Sequence, residues 1–350
     1  MTTTQTSVVH DLGTLAHRLS HPARTPCVCE PPQVLADRPD GTVVRSGAIV
    51  AKAHAADTDR EALAARIALA AAPQLAGILL PPLPAPAPAA PTARPVTLWP
   101  LGAPVDPTDP GAAPWAEAAD LLARLHRTKP PFPLPPMRGP AKAARAVARM
   151  RAALRADATA VSCGTGDAAI LPHDPAALPG DATAPPRAPA ALSVLAGWRA
   201  LPAWARGEVP APVRGGSLCH GDLHLGQLVR HPAPDGPWLL IDVDDAGMGE
   251  PAWDLGRPAA WYAAGLLAPE DWSTFLDAYR SAGGPAVPAD GDPWPALDVP
   301  ARALTVQTAA VALAKCAAEQ RDPDEHEQLM IESCARIATL PPELATGPAS

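Results

Sequence analysis

Between residues 33 and 52, short apolar runs alternate with turn-forming residues. Residues 33–36 and 42–44 read as strands on either side of Pro39-Asp40-Gly41, and a second turn at Arg45-Ser46-Gly47 leads into a third strand at 48–52. Strands joined by turns this tight pair antiparallel. The pattern then becomes helical: residues 57–66 place acidic side chains ahead of spaced apolar ones, which suits the positive end of a helix dipole. The apolar runs 75–80 and 96–101 read as two more strands, separated by a stiff Pro/Ala-rich connection at 81–95. Beyond them apolar residues recur at helical spacing over 115–126, 141–157, 304–318 and 325–340, with shorter helical stretches around 261–262 and 272–279. Residues 172–189, rich in Pro, Ala and Asp, read as a mobile insertion. The pattern describes an α+β chain, with a small sheet-based part over 1–101 and a mostly helical part over 102–350.

Composition narrows the partners. The net charge is −8, from 28 basic and 36 acidic residues with no long basic run, so the overall field repels nucleic acid and anionic membrane, and neither is expected as a partner. Cys27, Cys29, Cys163, Cys219, Cys316 and Cys334 form no Cys-x-x-Cys pair, and a chain of 350 residues does not need disulfide staples, so reduced thiols are expected. The N-terminus lacks a basic segment leading into an apolar stretch, and no uninterrupted apolar run reaches membrane-spanning length, which points to a cytoplasmic protein.

The chemistry concentrates in His220-Gly221-Asp222-Leu223-His224-Leu225-Gly226-Gln227 and in Asp242, which follows the strand-like 238–241. A nucleotide's phosphoryl group reaches a reaction as a magnesium complex, which calls for a carboxylate facing the acceptor hydroxyl and oxygen ligands for the metal. Asp222, Gln227 and Asp242 can supply these. Asp222 and Gln227 have the separation at which protein kinases place their base and their Asn metal ligand. A lysine on a strand supplies a compact positive charge for the phosphates; Lys52 occupies such a position, and Glu61 on the following helix can face it. No Gly-x-Gly-x-x-Gly precedes Lys52, since Gly41 and Gly47 are isolated. Asp244, Asp245 and Glu250 exceed what the metal needs; they either face an amine on the substrate or, as Asp commonly does, cap a turn.

The segment 219–257 resembles the aminoglycoside phosphotransferase-like kinases, whose catalytic loop reads His-Gly-Asp-x-x-x-x-Asn and whose later strand ends in Ile-Asp. It is most similar to the maltokinase-like branch, where Gln takes the Asn position. The resemblance implies a bilobal, protein-kinase-like fold that uses ATP and Mg2+ to phosphorylate a hydroxyl of a small polar acceptor such as a sugar, amino sugar or aminoglycoside-like compound. It implies Asp222 as catalytic carboxylate, Gln227 and Asp242 as magnesium ligands, Lys52 paired with Glu61 on the phosphates, and His220 and Asp254 as supports of the catalytic loop. By position, the backbone of Thr97, Leu98 and Trp99 is expected to meet the adenine edge. With about thirty residues ahead of the first strand, a full maltokinase-type cap is not expected.

Other readings use the same residues. His220, Asp222 and His224 have the chemistry of a zinc or iron site of a metallohydrolase, although the remaining histidines, among them His10, His21, His54 and His173, are scattered. A calcium loop starting at Asp242 fails at its twelfth position, Trp253. The Gln at 227 also admits a nucleotide-binding pseudokinase with a regulatory role. Trp253, Trp261 and Tyr262 suit either the core or a sugar face. His126 reads as a packed histidine, and the arginines from 145 to 155 as a solvated helix face.

Overall fold

The computed structural model describes residues 3–21, 30–38, 40–84, 94–164, 187–210 and 216–340. Pro39, Cys27, Cys29, His173, residues 85–93 of the Pro/Ala-rich connection and residues 172–186 of the expected insertion lie outside this set, as does the side chain of Cys163. The N-terminal part is a four-stranded antiparallel sheet in the order β1 (Gln33–Arg38), β2 (Gly41–Ser46), β3 (Ile49–His54), β4 (Val96–Pro100). Side chains alternate across a strand, so Ala51 and Ala53 turn to one face and Lys52 to the other. The face with Ala51, Ala53, Val44 and Leu98 is covered by a helix not anticipated from the sequence, α1 (Thr3–Ser20), through Leu12 and Ala16. Lys52 is thereby left facing the C-terminal part.

The run 75–80 is not a strand of this sheet. After a 3-10 turn at Pro73–Leu75 it runs along the second part, where Leu79 bridges Leu240 and the Leu80 N–H donates to the Leu240 carbonyl at 2.9 Å. In this run, Leu75, Ile78, Leu79 and Leu80 are apolar because they join the large core, whereas Ala76 and Gly77 between them are exposed. Preceding it, α2 (Arg60–Ala70) is capped by Asp59, whose side chain accepts the N–H groups of Glu61 and Ala62.

The chain leaves the first sheet at Pro100 and enters a second at β5 (Ala103–Pro104), which pairs with β7 (Leu228–Arg230), itself paired with β8 (Trp238–Leu240). A separate pair joins β6 (Ser217–Cys219) to β9 (Gly247–Gly249). The rest is helical: α3 (Trp115–Arg127), α4 (Gly139–Gly164), α5 (Ala188–Ala200), α6 (Ala252–Ala264), α7 (Pro269–Ser281), α8 (Trp294–Glu319) and α9 (Glu325–Thr339). Helix α8 is largely apolar and mostly buried between Val299 and Ala310, because it packs against α4, α5, α6 and α9. It starts ten residues before the expected 304, since Pro295 lies in its first turn and Pro300 is accommodated inside it. The aromatics serve packing: Trp253 is buried against Trp204, and Tyr262 stacks on Trp272 with ring centroids 5.4 Å apart. No described helix is long and apolar enough to cross a membrane.

Candidate active site

Nested strand pairing brings the two chemistry-bearing loops together. Residues 220–227 connect β6 to β7, and residues 241–246 connect β8 to β9; because β7 pairs with β8 and β6 with β9, the two connections lie side by side. They are also tied directly. His220 Nε2 donates to the Ile241 carbonyl at 2.8 Å, and the Ile241 N–H donates to the Gln227 carbonyl at 2.9 Å. This bond places the ring proton of His220 on Nε2 and leaves its buried Nδ1 without a partner.

A buried relay holds the first loop from behind. Asp254, in the first turn of α6, accepts the His220 N–H at 2.6 Å and the Gly221 N–H at 2.7 Å, and its side chain is fully enclosed. His126 on α3 donates to the same carboxylate at 3.0 Å, and its other nitrogen meets the Tyr279 hydroxyl at 2.7 Å. His126 is therefore a packed linker between α3, α6 and α7. Gly221 has φ +85°, and a Cβ there would stand 2.4 Å from the Asp245 carbonyl oxygen, so the close approach of the loops excludes any larger residue. Among the described residues, His126, Cys219 and Asp254 form a group of metal-capable atoms within 4.8 Å of one another. Its carboxylate is already committed to three donors. The thiol stays protonated, raised by burial first and then by Asp254 and Glu250.

Asp222 is clamped by two cations that sequence reasoning did not single out. Lys142 from α4 reaches Oδ2 at 2.5 Å, and Arg257 from α6 reaches Oδ1 at 2.6 Å. Burial alone pushes the Asp222 carboxyl up, but Lys142 and Arg257 outweigh it and hold the group down at about 2. It is an anion at neutral pH. His224 is lowered to about 4 by burial and then by Arg257, so its imidazole is neutral there. His224 Nδ1 accepts the Gly226 N–H at 3.1 Å. With His220 and His224 bonded to backbone and both Asp222 oxygens on cations, the metallohydrolase triad does not assemble. Neither Lys142 nor Arg257 carried a local signal. They stand 80 and 35 residues from Asp222 in sequence, and only packing of α4 and α6 against the loop brings them in.

The second loop meets Lys52. Its ammonium lies 2.6 Å from Asp242 Oδ1 and 2.9 Å from Asp244 Oδ2. Burial lowers the lysine and is the largest single effect, but the two carboxylates overcome it and raise the group above its ordinary value. Asp242 has φ 62° and ψ 65°, a left-handed conformation that Asp tolerates better than most residues. The Gln227 amide nitrogen lies 3.5 Å from the other Asp242 oxygen. Asp242 and Gln227 thus offer neighbouring hard oxygen donors of the kind magnesium prefers.

Three expectations require correction. Glu61 does not meet Lys52: it is exposed in the first turn of α2, and the buried charge on that helix is Arg66, which donates to the Ala246 carbonyl at 2.7 Å. The backbone at Thr97 and Trp99 and the Leu98 carbonyl are already committed and do not face an adenine edge. Thr97 and Trp99 are registered opposite Lys52 and Val50 of β3, with ladder bonds at both ends of the pair, and the Leu98 carbonyl accepts the Leu83 N–H at 2.8 Å. The Thr97 hydroxyl instead meets His54 Nε2 at 2.8 Å. The third concerns the amine-facing carboxylates. Asp244 is taken by Lys52 and by buried His54 at 3.0 Å, and Asp245 by Lys142 at 2.7 Å and Arg138 at 3.6 Å. Glu250 exerts its field on Cys219 and Tyr279, on the side of the relay behind Asp254.

A small antiparallel sheet facing a helical body, with a strand lysine reaching the carboxylates of one of two paired loops and the other loop bearing Asp222, is the architecture of a kinase-like phosphotransferase. The profile of the phosphotransferase enzyme family matches residues 40–297, and the chain belongs to that family as a kinase of small molecules. No curated protein sequence matches it. Among solved structures, the fold is similar to a choline/ethanolamine kinase family protein from Mesorhizobium loti, with TM-score 0.52, 15% identity and 97% of each chain covered. It is also similar to a choline kinase from Streptococcus pneumoniae, with TM-score 0.51, 12% identity, and 95% of this chain and 98% of that one covered. A spectinomycin phosphotransferase in complex with ADP and spectinomycin gives TM-score 0.50 at 12% identity, over 86% of this chain and 92% of that one.

Proposed function

We propose that the protein transfers the γ-phosphoryl group of ATP, with magnesium, to a hydroxyl of a small polar metabolite, using residues 1–101 as nucleotide lobe and 102–350 as catalytic lobe. The observation that carries the reading is the ionised Asp222, clamped by two cations on a loop tied to the one that bears Asp242 and Lys52's contacts. The acceptor oxygen bonds to the γ-phosphorus as the bond to the β–γ bridging oxygen breaks, its proton passes to Asp222, and ADP leaves. Asp222 contributes chiefly by orienting the hydroxyl, so a carboxyl held at about 2 is adequate. Asp242 and the Gln227 amide oxygen would hold magnesium, which when bound offsets the charge on the phosphates. The donor set fits that ion, since both groups are hard oxygens and the Gln227 amide can present its oxygen by a half-turn about its last bond. Lys52, now neutralised by Asp242 and Asp244, would fix the non-reacting phosphates. The acceptors in the names of similar structures, choline and spectinomycin, support a small hydroxyl compound.

The test is purified protein with ATP, magnesium and a broad hydroxyl panel, read by mass for phosphorylated product, beside Asp222→Asn. Product that falls at least about a hundredfold in the variant is the expected result. ATP binding with no product from any acceptor would favour the pseudokinase and defeat this reading.

A further inference from the structure

The wall of the site beside Asp222 is positive, in a chain whose net charge is −8. Arg138, Lys142, Arg145 and Arg149 follow one another at separations of four, three and four residues, which puts them on one face of α4 and the turn before it. That face is not simply solvated. Lys142 reaches Asp222 and Asp245, Arg138 approaches Asp245, and Arg149 lies 3.2 Å from Asp40 at the tip of the β1–β2 turn. The face therefore lies between the reactive carboxylate and the edge of the nucleotide lobe. Arg145, exposed in the middle of it, has no hydrogen bond or ion pair among the described residues. Its neighbours in charge are Arg138, Asp245, Arg149 and Asp40, which places it on the same line. With Arg257, the wall holds five cations (Arg138, Lys142, Arg145, Arg149, Arg257) against three carboxylates (Asp40, Asp222, Asp245), a surplus of two positive charges.

Resting on the kinase reading, we propose that the acceptor carries an anionic group, a carboxylate or a phosphate monoester, beside the hydroxyl that is phosphorylated, and that Arg145 binds it with Arg138 and Lys142. A guanidinium with no protein partner is a ready donor pair for such a group. An arriving anion also competes with Asp222 for Lys142, which frees Asp222 Oδ2 to take the hydroxyl proton. A cationic acceptor meets the opposite situation, since every carboxylate on this wall is already paired.

The experiment compares hydroxyl compounds matched in skeleton but not in charge: a neutral sugar, its amino sugar, its uronic acid and its monophosphate, with ATP, magnesium and detection of product by mass. The expected result is a kcat/KM for the uronic acid or the monophosphate at least about tenfold above that for the neutral sugar, with the amino sugar lowest; which of the two anions leads identifies the group. Arg145→Glu should raise the KM for that acceptor about tenfold to a hundredfold, as expected for a lost charged hydrogen bond, with the KM for ATP changed less than about twofold, and Arg145→Lys should recover part of the loss. Arg145 is exposed, so these variants should fold. Preference for the neutral or amino sugar overturns the inference and leaves the kinase intact. A rise in the KM for ATP instead assigns the wall to the nucleotide and overturns it too. Product from none of the four, with ATP bound, removes this inference and counts against the kinase reading together.

Discussion

Replacing Lys142 by methionine isolates the electrostatic hold on Asp222. The lysine contacts two carboxylates whose side chains are only 13% and 11% exposed, so its removal leaves both Asp222 and Asp245 short of a partner in a poorly solvated place. The Asp222 carboxyl sits at about 2 against an ordinary 3.8, a difference of nearly two units, or about 2.5 kcal/mol, and that is what remains after burial has been overcome. Breaking a buried pair from one side typically costs about 3–5 kcal/mol, and Arg257 still holds Asp222 here, so about 3 kcal/mol is the expected loss at pH 7. The direction with pH follows from the depressed value. The carboxylate contributes fully above its unfolded value near 3.8 and loses the contribution as pH falls toward 2, so the gap between wild type and variant should be widest at neutral pH and shrink below about pH 4. Urea unfolding of wild type, Lys142→Met, Asp222→Asn and the double variant at pH 7 gives the coupling between the two residues directly, with about 1.5 kcal/mol or more expected. A coupling under about 0.5 kcal/mol would refute the clamp.

Asp254→Ala should leave the His220 and Gly221 N–H groups buried and unpaired at about 1–3 kcal/mol each, so a loss of at least about 2 kcal/mol in denaturant unfolding is expected together with loss of phosphotransfer; an activity near wild type would show that the relay does not position the loop. Gly221→Ala meets both the left-handed φ and the Asp245 carbonyl, and about 2 kcal/mol or more of destabilisation is expected; an unchanged denaturation midpoint would show that the two loops can separate. His224, lowered to about 4 from 6.5, makes the unfolded chain bind more protons between those values, so stability should fall as pH drops from 6.5 to 4. His224→Asn should flatten that part of the stability–pH curve, by about 3 kcal/mol at most, and a curve that keeps its slope would assign the acid sensitivity elsewhere.

Local signals account for what was legible. The alternation from residue 33 to 52 is a property of each strand and its turns, and it yields β1, β2 and β3 within a few residues of their observed bounds. Helix α1 is not among the predicted elements although its signal is present: Val8, Leu12, Leu15 and Ala16 recur at helical spacing and pack on the sheet. The run 75–80 reads as a sheet strand because a short apolar stretch has no periodicity of its own; its partner, Leu240, is 161 residues away from Leu79. The lysine's partner is hidden from the sequence for a related reason. Glu61 is the nearest carboxylate on the following helix, whereas Asp242 and Asp244 lie 190 residues or more from Lys52 and reach it only once the two parts close on each other.

The chain's own residue order determined the class of chemistry: an Asp, an amide five residues on and a second Asp after a strand, with a lysine on an early strand, are side chains whose kinds and spacing restrict what they can bind. Tertiary structure decided the charge that surrounds them. Coulomb energy depends on distance in space and on exclusion of water, so Lys142 and Arg257 beside Asp222, His54 beneath Asp244 and Arg145 on the open wall follow from how α4, α6 and β3 pack, and no local pattern encodes that arrangement.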